Sequence, residues 1–279
     1  MTDTVLRAIA DDGSFRVIAA LTTDTVRGVA KAQRVAGATA SYLGDLLTGA
    51  ILIRETMAPQ MRVQGILKGA GKGRSFVADS LPDGTTRGLV SEGARASGLS
   101  LGEGAVLQMM RTMRNGAIQQ GITEFQGGNI SSALMEYLQS SEQITSVIAV
   151  TTLLDRDAIL CAGGYVVQLL PEANPATLAA MTDRLARLPS IDSLLASGEG
   201  TPSTLVASLL AGSKYTLLEE SPLSFGCQCS KERLLAALAT IEPAELASMI
   251  AEGKDIETSC DYCNKAYLIH IDELRSLLN

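Results

Sequence analysis

Among 279 residues there is one histidine, His270. A hydrolase built on a nucleophile–histidine pair would depend on that single ring, so such chemistry has little support. A basic excess is missing too: 23 Lys and Arg stand against 30 Asp and Glu, a net charge of −7 with pI near 4.9. That balance argues against a surface built to neutralise phosphates, and no nucleic-acid partner is expected. No apolar run reaches the length of a bilayer span, and stretches such as Ile144–Leu154 are broken by Thr and Ser, so no membrane association is expected. Met1-Thr2-Asp3-Thr4 lacks the basic start and apolar stretch of a signal peptide, which predicts a cytoplasmic location. Internal repeats and low-complexity tracts are absent. Cysteine is sparse, five residues in all, yet four of them fall from position 227 onward. In a reducing compartment such clustering points to metal or redox work more than to permanent disulfides.

What the chain does have is apolar residue, 46% of the total, enough to bury a sizeable core. The pattern predicts an α+β fold. Ser14–Leu21 reads as a strand, and Asp24 as the N-cap of an alanine-rich helical stretch toward Ile53, with a break near Gly37 or Gly44. From Met61 the period changes to two: Met61–Leu67, Arg74–Ser80 and Thr85–Ser91 are strands, the last two joined across Pro82-Asp83-Gly84. Asn115-Gly116 between Ala105–Met113 and Ala117–Phe125 predicts a hairpin, because both turn residues tolerate positive φ. A helix over Ile130–Gln139 carries Leu134, Tyr137 and Leu138 on one face. A second hairpin joins Ile144–Leu154 to Ala158–Leu170 around Asp155-Arg156-Asp157.

After Pro171 the character changes. Ala176–Leu188, Ile191–Ala196 and Ser203–Leu210 read as short, weakly anchored helices, of the kind found at the low end of local stability. From Cys227 a small segment follows. Ser230 caps a helix through Leu238, and Pro243 opens another ending at Gly253. Asp255–Cys260 and Ala266–His270 form a hairpin, and Asp272 caps a terminal helix. A segment of this size has a poor core and needs a staple. The expected division is thus 1–172, an α+β domain with mixed or antiparallel sheet; 173–224, a helical linker; and 225–279, a small metal-binding domain.

The cysteines are arranged as Cys227-Gln-Cys229, thirty intervening residues, and Cys260-Asp-Tyr-Cys263. Two close pairs of thiolates can complete a tetrahedron around one zinc ion. Lys231, Arg233, Lys254 and Lys265 lie near the ligands in sequence and could offset the net negative charge. A permanent structural zinc is one reading of this pattern. A redox reading has a mechanism behind it. Zinc closes a long loop, whereas disulfides between near neighbours would be local and constrain almost nothing between the two halves. Were oxidation to pair the cysteines in that way, the metal contribution, on the order of 10–16 kcal/mol in small zinc domains, would vanish and the segment would come apart. Four cysteines allow three pairings, and only this one turns oxidation into unfolding.

Other features carry less. Cys161, in the apolar run Ala158–Ala162, reads as a buried core residue. His270 reads as a packing or surface residue, since thiolates already fill four positions. Lys68-Gly-Ala-Gly-Lys-Gly73 resembles a phosphate loop, but its first glycine is misplaced and Gly73 stands where Ser or Thr should follow the lysine; a hairpin connection explains it better. Met109, Met110 and Met113 could form an adaptable apolar surface, although strand spacing favours core packing for part of the group. Glu219 and Glu220 read as a solvated face.

At this point the chain resembles a known family, the redox-regulated bacterial heat-shock chaperones called 33 kDa chaperonin or heat shock protein 33. The resemblance is carried by Phe225-Gly-Cys-Gln-Cys-Ser-Lys-Glu-Arg233 and Cys260-Asp-Tyr-Cys-Asn-Lys-Ala-Tyr267, supported by Tyr137-Leu-Gln-Ser-Ser-Glu-Gln143 and Ala162-Gly-Gly-Tyr-Val-Val-Gln-Leu-Leu-Pro171. It implies a substrate-binding domain, a metastable linker and a C-terminal zinc-binding redox-switch domain. It implies one zinc ion on Cys227, Cys229, Cys260 and Cys263 in a reduced, inactive form. Oxidation then forms the disulfides Cys227–Cys229 and Cys260–Cys263, releases zinc, and activates an ATP-independent holdase for unfolding client proteins. A homodimer when oxidised is also implied, and no enzymatic activity. Cys161 lies outside the four-cysteine pattern.

Two alternatives stand beside this. A thiol–disulfide oxidoreductase would use Cys260-x-x-Cys263, but that motif normally opens a helix in a βαβ setting and here falls in a hairpin. A binding module with a purely structural zinc would show basic character if it met nucleic acid. From Cys227 onward there are 5 basic and 9 acidic residues.

Overall fold

Phe15, Val17 and Ala19 leave their strand on one side and Ile18 and Ala20 on the other, and all five are buried. A strand apolar on both faces needs a layer against each of them. The computed structural model supplies both layers; it describes every residue except Met1, Gly71, Lys72, Leu99, Ser100, Arg114, Gln126 and Asn279. The chain forms two compact units, Met1–Phe225 and Gly226–Asn279.

The first unit runs β1 (Thr4–Ala10), β2 (Phe15–Leu21), α1 (Thr23–Gln33), α2 (Gly37–Glu55), β3 (Arg62–Lys68), β4 (Ser75–Ser80), β5 (Thr85–Val90) and α3 (Glu92–Ser97). It continues through β6 (Val106–Thr112), β7 (Ile118–Glu124), α4 (Ile130–Ser141), β8 (Ser146–Asp155), β9 (Ala158–Leu169), α5 (Pro175–Arg187), α6 (Ile191–Ala196), α7 (Pro202–Leu209), β10 (Tyr215–Pro222) and β11 (Ser224–Phe225). One sheet has the order β10-β1-β2-β9-β8 and is antiparallel throughout; the other has the order β11-β5-β4-β3-β6-β7 and is antiparallel except for β11 beside β5. The α+β reading therefore holds.

Helix α2 packs against strands of both sheets, and Leu43, Leu46, Leu47, Ala50, Ile51, Leu52 and Ile53 are all fully buried. Its apolar residues surround the axis because the helix is enclosed on every side. Gly44 is needed where β8 comes closest: a Cβ there would lie 2.3 Å from the Thr152 hydroxyl. The break between α1 and α2 falls at Arg34, in the left-handed region at φ 54°, just ahead of Gly37 at φ 56°. Asp24 is not the N-cap, as the sequence had predicted. Thr22 holds that position, and the buried Asp3 carboxylate, from before β1, accepts the Thr25 N–H at 2.6 Å. A remote carboxylate thus meets an orphan helix donor.

The second face of the five-stranded sheet is covered by α5, α6 and α7. Met181, Ile191, Leu194, Leu195, Leu205, Val206 and Leu209 pack onto Leu6, Ala8, Phe15, Val17, Ala19, Tyr165 and Val167. Each helix begins on a side-chain cap, from Asn174, Ser190 and Thr201 respectively. The chain then forms β10, which sequence pattern had not revealed. It pairs along the length of β1, so residues 173–224 are not helical throughout, and Glu219 bonds to Arg7. Arg7 also pairs with buried Glu55 at 3.3 Å, and Arg54 meets Glu55 at 2.5 Å.

Most predicted turns are present. Gly84 at φ 84° and Gly116 at φ 81° close the β4–β5 and β6–β7 connections. Gly69 N–H donates to Arg74 O where β3 returns into β4, while Gly71 and Lys72 of the phosphate-loop-like segment lie outside the described residues. Met109 is buried and Met110 and Met113 are half-buried. Cys161, on β9, is only partly buried, contrary to the core role predicted for it, because it lies near the strand end beside Arg27.

The second unit contains α8 (Lys231–Leu238), α9 (Pro243–Ala251), β12 (Ile256–Ser259), β13 (Ala266–Ile269) and α10 (Ile271–Ser276). Ser230 caps α8 through the Arg233 N–H, and Gly253 follows α9 at φ 69°. Asp272 is not the cap of α10. His270 occupies that place, with Glu273 accepting its N–H and Asp255 accepting the Ile271 N–H. Among the described residues, Leu246, Ile269 and Leu274 form the buried core of this unit. No single helix among the described residues is long and apolar enough to cross a membrane.

Candidate metal centre

Cys227 and Cys229 lie in the irregular stretch that precedes α8, and Cys260 and Cys263 in the turn between β12 and β13. That turn is held by the Cys260 N–H donating to Lys265 O and the Asn264 N–H donating to Cys260 O at 2.7 Å, with Asn264 at φ 57°. Asparagine tolerates the left-handed region better than most residues, and this lets the chain reverse around the two thiols. On the other side, the Arg233 guanidinium donates to Gln228 O at 2.7 Å and fixes the backbone between Cys227 and Cys229.

The four Sγ atoms lie within 4.8 Å of one another. Cys227 and Cys260 are 3.7 Å apart, and Cys229 and Cys263 3.3 Å. Tetrahedral zinc with Zn–S of about 2.3 Å places its sulfurs about 3.8 Å apart. The donor set and its spacing fit such an ion, and all four cysteines are half-buried.

The Tyr267 hydroxyl donates to Cys229 Sγ at 3.1 Å. Burial raises the Cys229 thiol, but this hydrogen bond and those with Cys263, Cys227 and Cys260 outweigh it and bring the group down to about 7. Burial pushes Cys263 up to about 12, and Cys260 is raised for the same reason. Of Cys229, Cys260 and Cys263, the hydrogen-bonded Cys229 is thus the one whose thiolate the site favours. A bound divalent ion would favour thiolate at every position.

Of the basic residues near the thiols in sequence, Lys231 pairs with Glu273 at 2.6 Å and Lys265 lies 5.4 Å from the Tyr267 ring centroid. His270 stays outside the cluster, its Nδ1 2.9 Å from Asp255. Tyr267 itself was not a predicted site residue. Its place on β13, four residues after Cys263, offers no sequence signal beyond that spacing. A Gly-x-Ser-x-Gly spacing does occur at Gly98–Gly102, but Leu99 and Ser100 lie outside the described residues and His270 is engaged in the other unit. Cys260-x-x-Cys263 occupies a hairpin turn and does not open a helix, so the lowered thiol expected of a thioredoxin-type nucleophile is missing at both positions.

Comparison with known proteins agrees across the whole chain. The family model described as Hsp33 protein matches residues 3–270. The chain belongs to the Hsp33 family. The 33 kDa chaperonin of Syntrophotalea carbinolica is 30% identical over 100% of both chains, and that of Listeria monocytogenes serotype 4b is 32% identical over 99% of this chain and 98% of its own. The crystal structure of the 33 kDa chaperonin from Thermotoga maritima superposes with a TM-score of 0.84 at 24% identity, covering 100% of this chain and 98% of that one. At that identity the match concerns the fold. Hsp33 membership makes the chain a chaperone, with unfolded proteins as its partners, and its relatives are named as chaperonins and not as enzymes.

Proposed function

We propose that this Hsp33-family chain is a redox-regulated, ATP-independent holdase, with Cys227, Cys229, Cys260 and Cys263 holding one zinc ion in its reduced, inactive form. The observation that carries the reading is the convergence of four sulfurs from two segments thirty residues apart, in a unit whose described residues form a small buried core of Leu246, Ile269 and Leu274. When bound, zinc supplies the crosslink between those segments that so small a core cannot.

The residues perform the switch by losing that ligand set. Two thiolates give up one electron each to hydrogen peroxide, whose O–O bond breaks and which takes two protons from solvent to leave as two waters while one S–S bond forms. Two such events consume all four donors. Cys227–Cys229 and Cys260–Cys263 are the pairs we assign, because each is local and leaves the gap between them unbridged. The second unit then unfolds.

In this reading 1–172 is the client-binding domain, 173–224 the metastable linker and 225–279 the redox switch. The linker role is supported by α5–α7, three short helices that bury an apolar sheet face beneath otherwise exposed surfaces. Their departure would expose Leu6, Ala8, Phe15, Val17 and Tyr165, apolar surface suited to unfolded clients. A cytoplasmic location and association of the oxidised form into dimers belong to the same reading.

The test is a light-scattering assay of a thermally unfolding client with reduced and with peroxide-treated protein. Protection by the oxidised form alone is expected. Equal protection by both forms would leave the cysteines a purely structural zinc site.

A further inference from the structure

Between α8 and the β12–β13 turn lies a small cavity of about 280 Å3. Its wall is largely apolar: Leu234 and Ala237 come from α8, Tyr262 from the turn and Tyr267 from β13. Two charged side chains also line it, Arg233 and Asp261, both exposed and opposite in sign, so the wall carries no net charge. Two of the four clustered cysteines line it as well, Cys229 and Cys260. They come from different close pairs in the sequence. Each pair, Cys227 with Cys229 and Cys260 with Cys263, thus puts one sulfur at the cavity and keeps its other member out of the lining.

The chemistry of the wall selects an oxidant. An anionic one gains nothing from a lining without net charge. Hydrogen peroxide has no apolar surface to bury there. An uncharged oxidant with an apolar body gains from Leu234, Ala237 and the two rings while its reactive end meets a sulfur. The Tyr267 hydroxyl, donating to Cys229 Sγ at 3.1 Å, holds that sulfur beside one of those rings. The volume lies just below the range of about 300–1,000 Å3 typical of sites for drug-sized ligands, so one aryl or short branched alkyl group fills it.

We infer that this cavity admits neutral organic hydroperoxides and that Cys229 and Cys260 are the sulfurs they oxidise. The inference rests on the redox reading above and names the class of oxidant its thiols take. The thiolate attacks the outer oxygen of ROOH. The O–O bond breaks, a sulfenic acid forms on the sulfur, and the alkoxide takes a proton from solvent to leave as ROH. The thiolate of the same close pair, Cys227 or Cys263, then attacks the sulfenic sulfur. An S–S bond forms, and the displaced hydroxide takes a proton from solvent to leave as water. Each pair loses two electrons and one hydroperoxide gains them. Cys227 and Cys263 are thereby the resolving thiols.

The test mixes the reduced full chain with cumene hydroperoxide or with hydrogen peroxide and counts the remaining thiols at each cysteine by alkylation and mass spectrometry. Glutathione, a thiol with no cavity, gives the intrinsic ratio of the two rates. The ratio of the cumene hydroperoxide rate to the hydrogen peroxide rate is expected to be at least tenfold higher at Cys229 and Cys260 than in glutathione. Ala237→Leu fills the cavity and Tyr262→Ala removes part of its wall, and each should lower that ratio at least fivefold. Ala236→Leu, exposed on α8 and outside the lining, is the control, and metal content with thermal melts checks that every variant folds. Dimedone should trap sulfenic acid at Cys229 and Cys260. A ratio equal to that of glutathione, a ratio indifferent to both cavity variants, or sulfenic acid at Cys227 and Cys263 alone would overturn the inference. Client protection is no part of this readout. A protein that prefers cumene hydroperoxide but never protects a client would defeat the holdase reading alone, and one that protects after oxidation but shows no preference would defeat the cavity alone.

Discussion

The Tyr267 hydroxyl donates a hydrogen bond to Cys229 Sγ at 3.1 Å, joining β13 to the cysteine pair that precedes α8. Through this contact a neutral side chain favours the thiolate form of one ligand before any cation is present. In metal-stripped protein Tyr267→Phe should therefore raise the Cys229 thiol above its value of about 7, by about one pH unit. The pH dependence of alkylation at Cys229, followed by mass spectrometry, reads this directly. An unchanged profile would mean that the neighbouring thiols alone lower it.

The sign of that shift has a consequence for stability. Cys229 is depressed in the folded protein, so its contribution is complete above the ordinary thiol range near 9 and is lost as pH falls through about 7. Cys263, raised to about 12, contributes below the ordinary range and loses its contribution as pH rises toward 12. Protons also compete directly with a metal for all four sulfurs. Metal retention by the reduced protein should weaken as pH is lowered from 8 to 6, which equilibrium dialysis against a chromophoric chelator measures.

Removing the metal should affect the two units differently. With only Leu246, Ile269 and Leu274 as buried core, residues 226–279 should lose hydrogen-exchange protection when a strong chelator is added, or when Cys260 is replaced by Ser. The amides of β2 and β9, in the first unit, should keep theirs. Loss of protection in both units together would contradict the assignment of the metal to the small one.

Glu55 is buried between Arg7 and Arg54, and Arg7 also reaches Glu219 on β10. Glu55→Gln leaves a buried guanidinium without its carboxylate, a loss of about 3–5 kcal/mol for a pair of this type. Thermal unfolding of the first unit should move down by several degrees, while that of 226–279 stays in place.

Much of this architecture is legible in the sequence because local signals agree with the fold. Asn115-Gly116 and Pro82-Asp83-Gly84 mark turns that are present, and alternating residues mark the strands they join. The cysteine spacing alone indicated that Cys227, Cys229, Cys260 and Cys263 meet. What was hidden depends on partners distant in the chain. Tyr215–Pro222 resembles a solvated acidic stretch until β1 pairs with it, and Asp3 becomes the acceptor for α1 only when the fold brings the residue before β1 to the start of that helix. Cys161 lies in an apolar run, yet its distance from the sheet centre leaves it half-buried. Tyr267 reaches Cys229 only because the β12–β13 hairpin folds back beside α8.

Helices α5–α7 should act as a cover. Leu209 is fully buried against the sheet, and Leu209→Ala leaves a cavity worth about 2–5 kcal/mol. If that cover restrains the chaperone, reduced Leu209→Ala protein should bind a hydrophobic dye and protect clients without oxidation. A variant that is destabilised but gains neither property would separate the cover from the client site.

The central claim is that oxidation of four specific thiols converts a closed chaperone into an active one. The most direct measurement follows disulfide mass mapping, zinc release and client protection in the same peroxide-treated samples over time. We predict that one zinc ion leaves per chain as Cys227–Cys229 and Cys260–Cys263 form, and that protection appears in step with their formation. Protection that is complete before any disulfide forms, or four oxidised cysteines without protection, would contradict it.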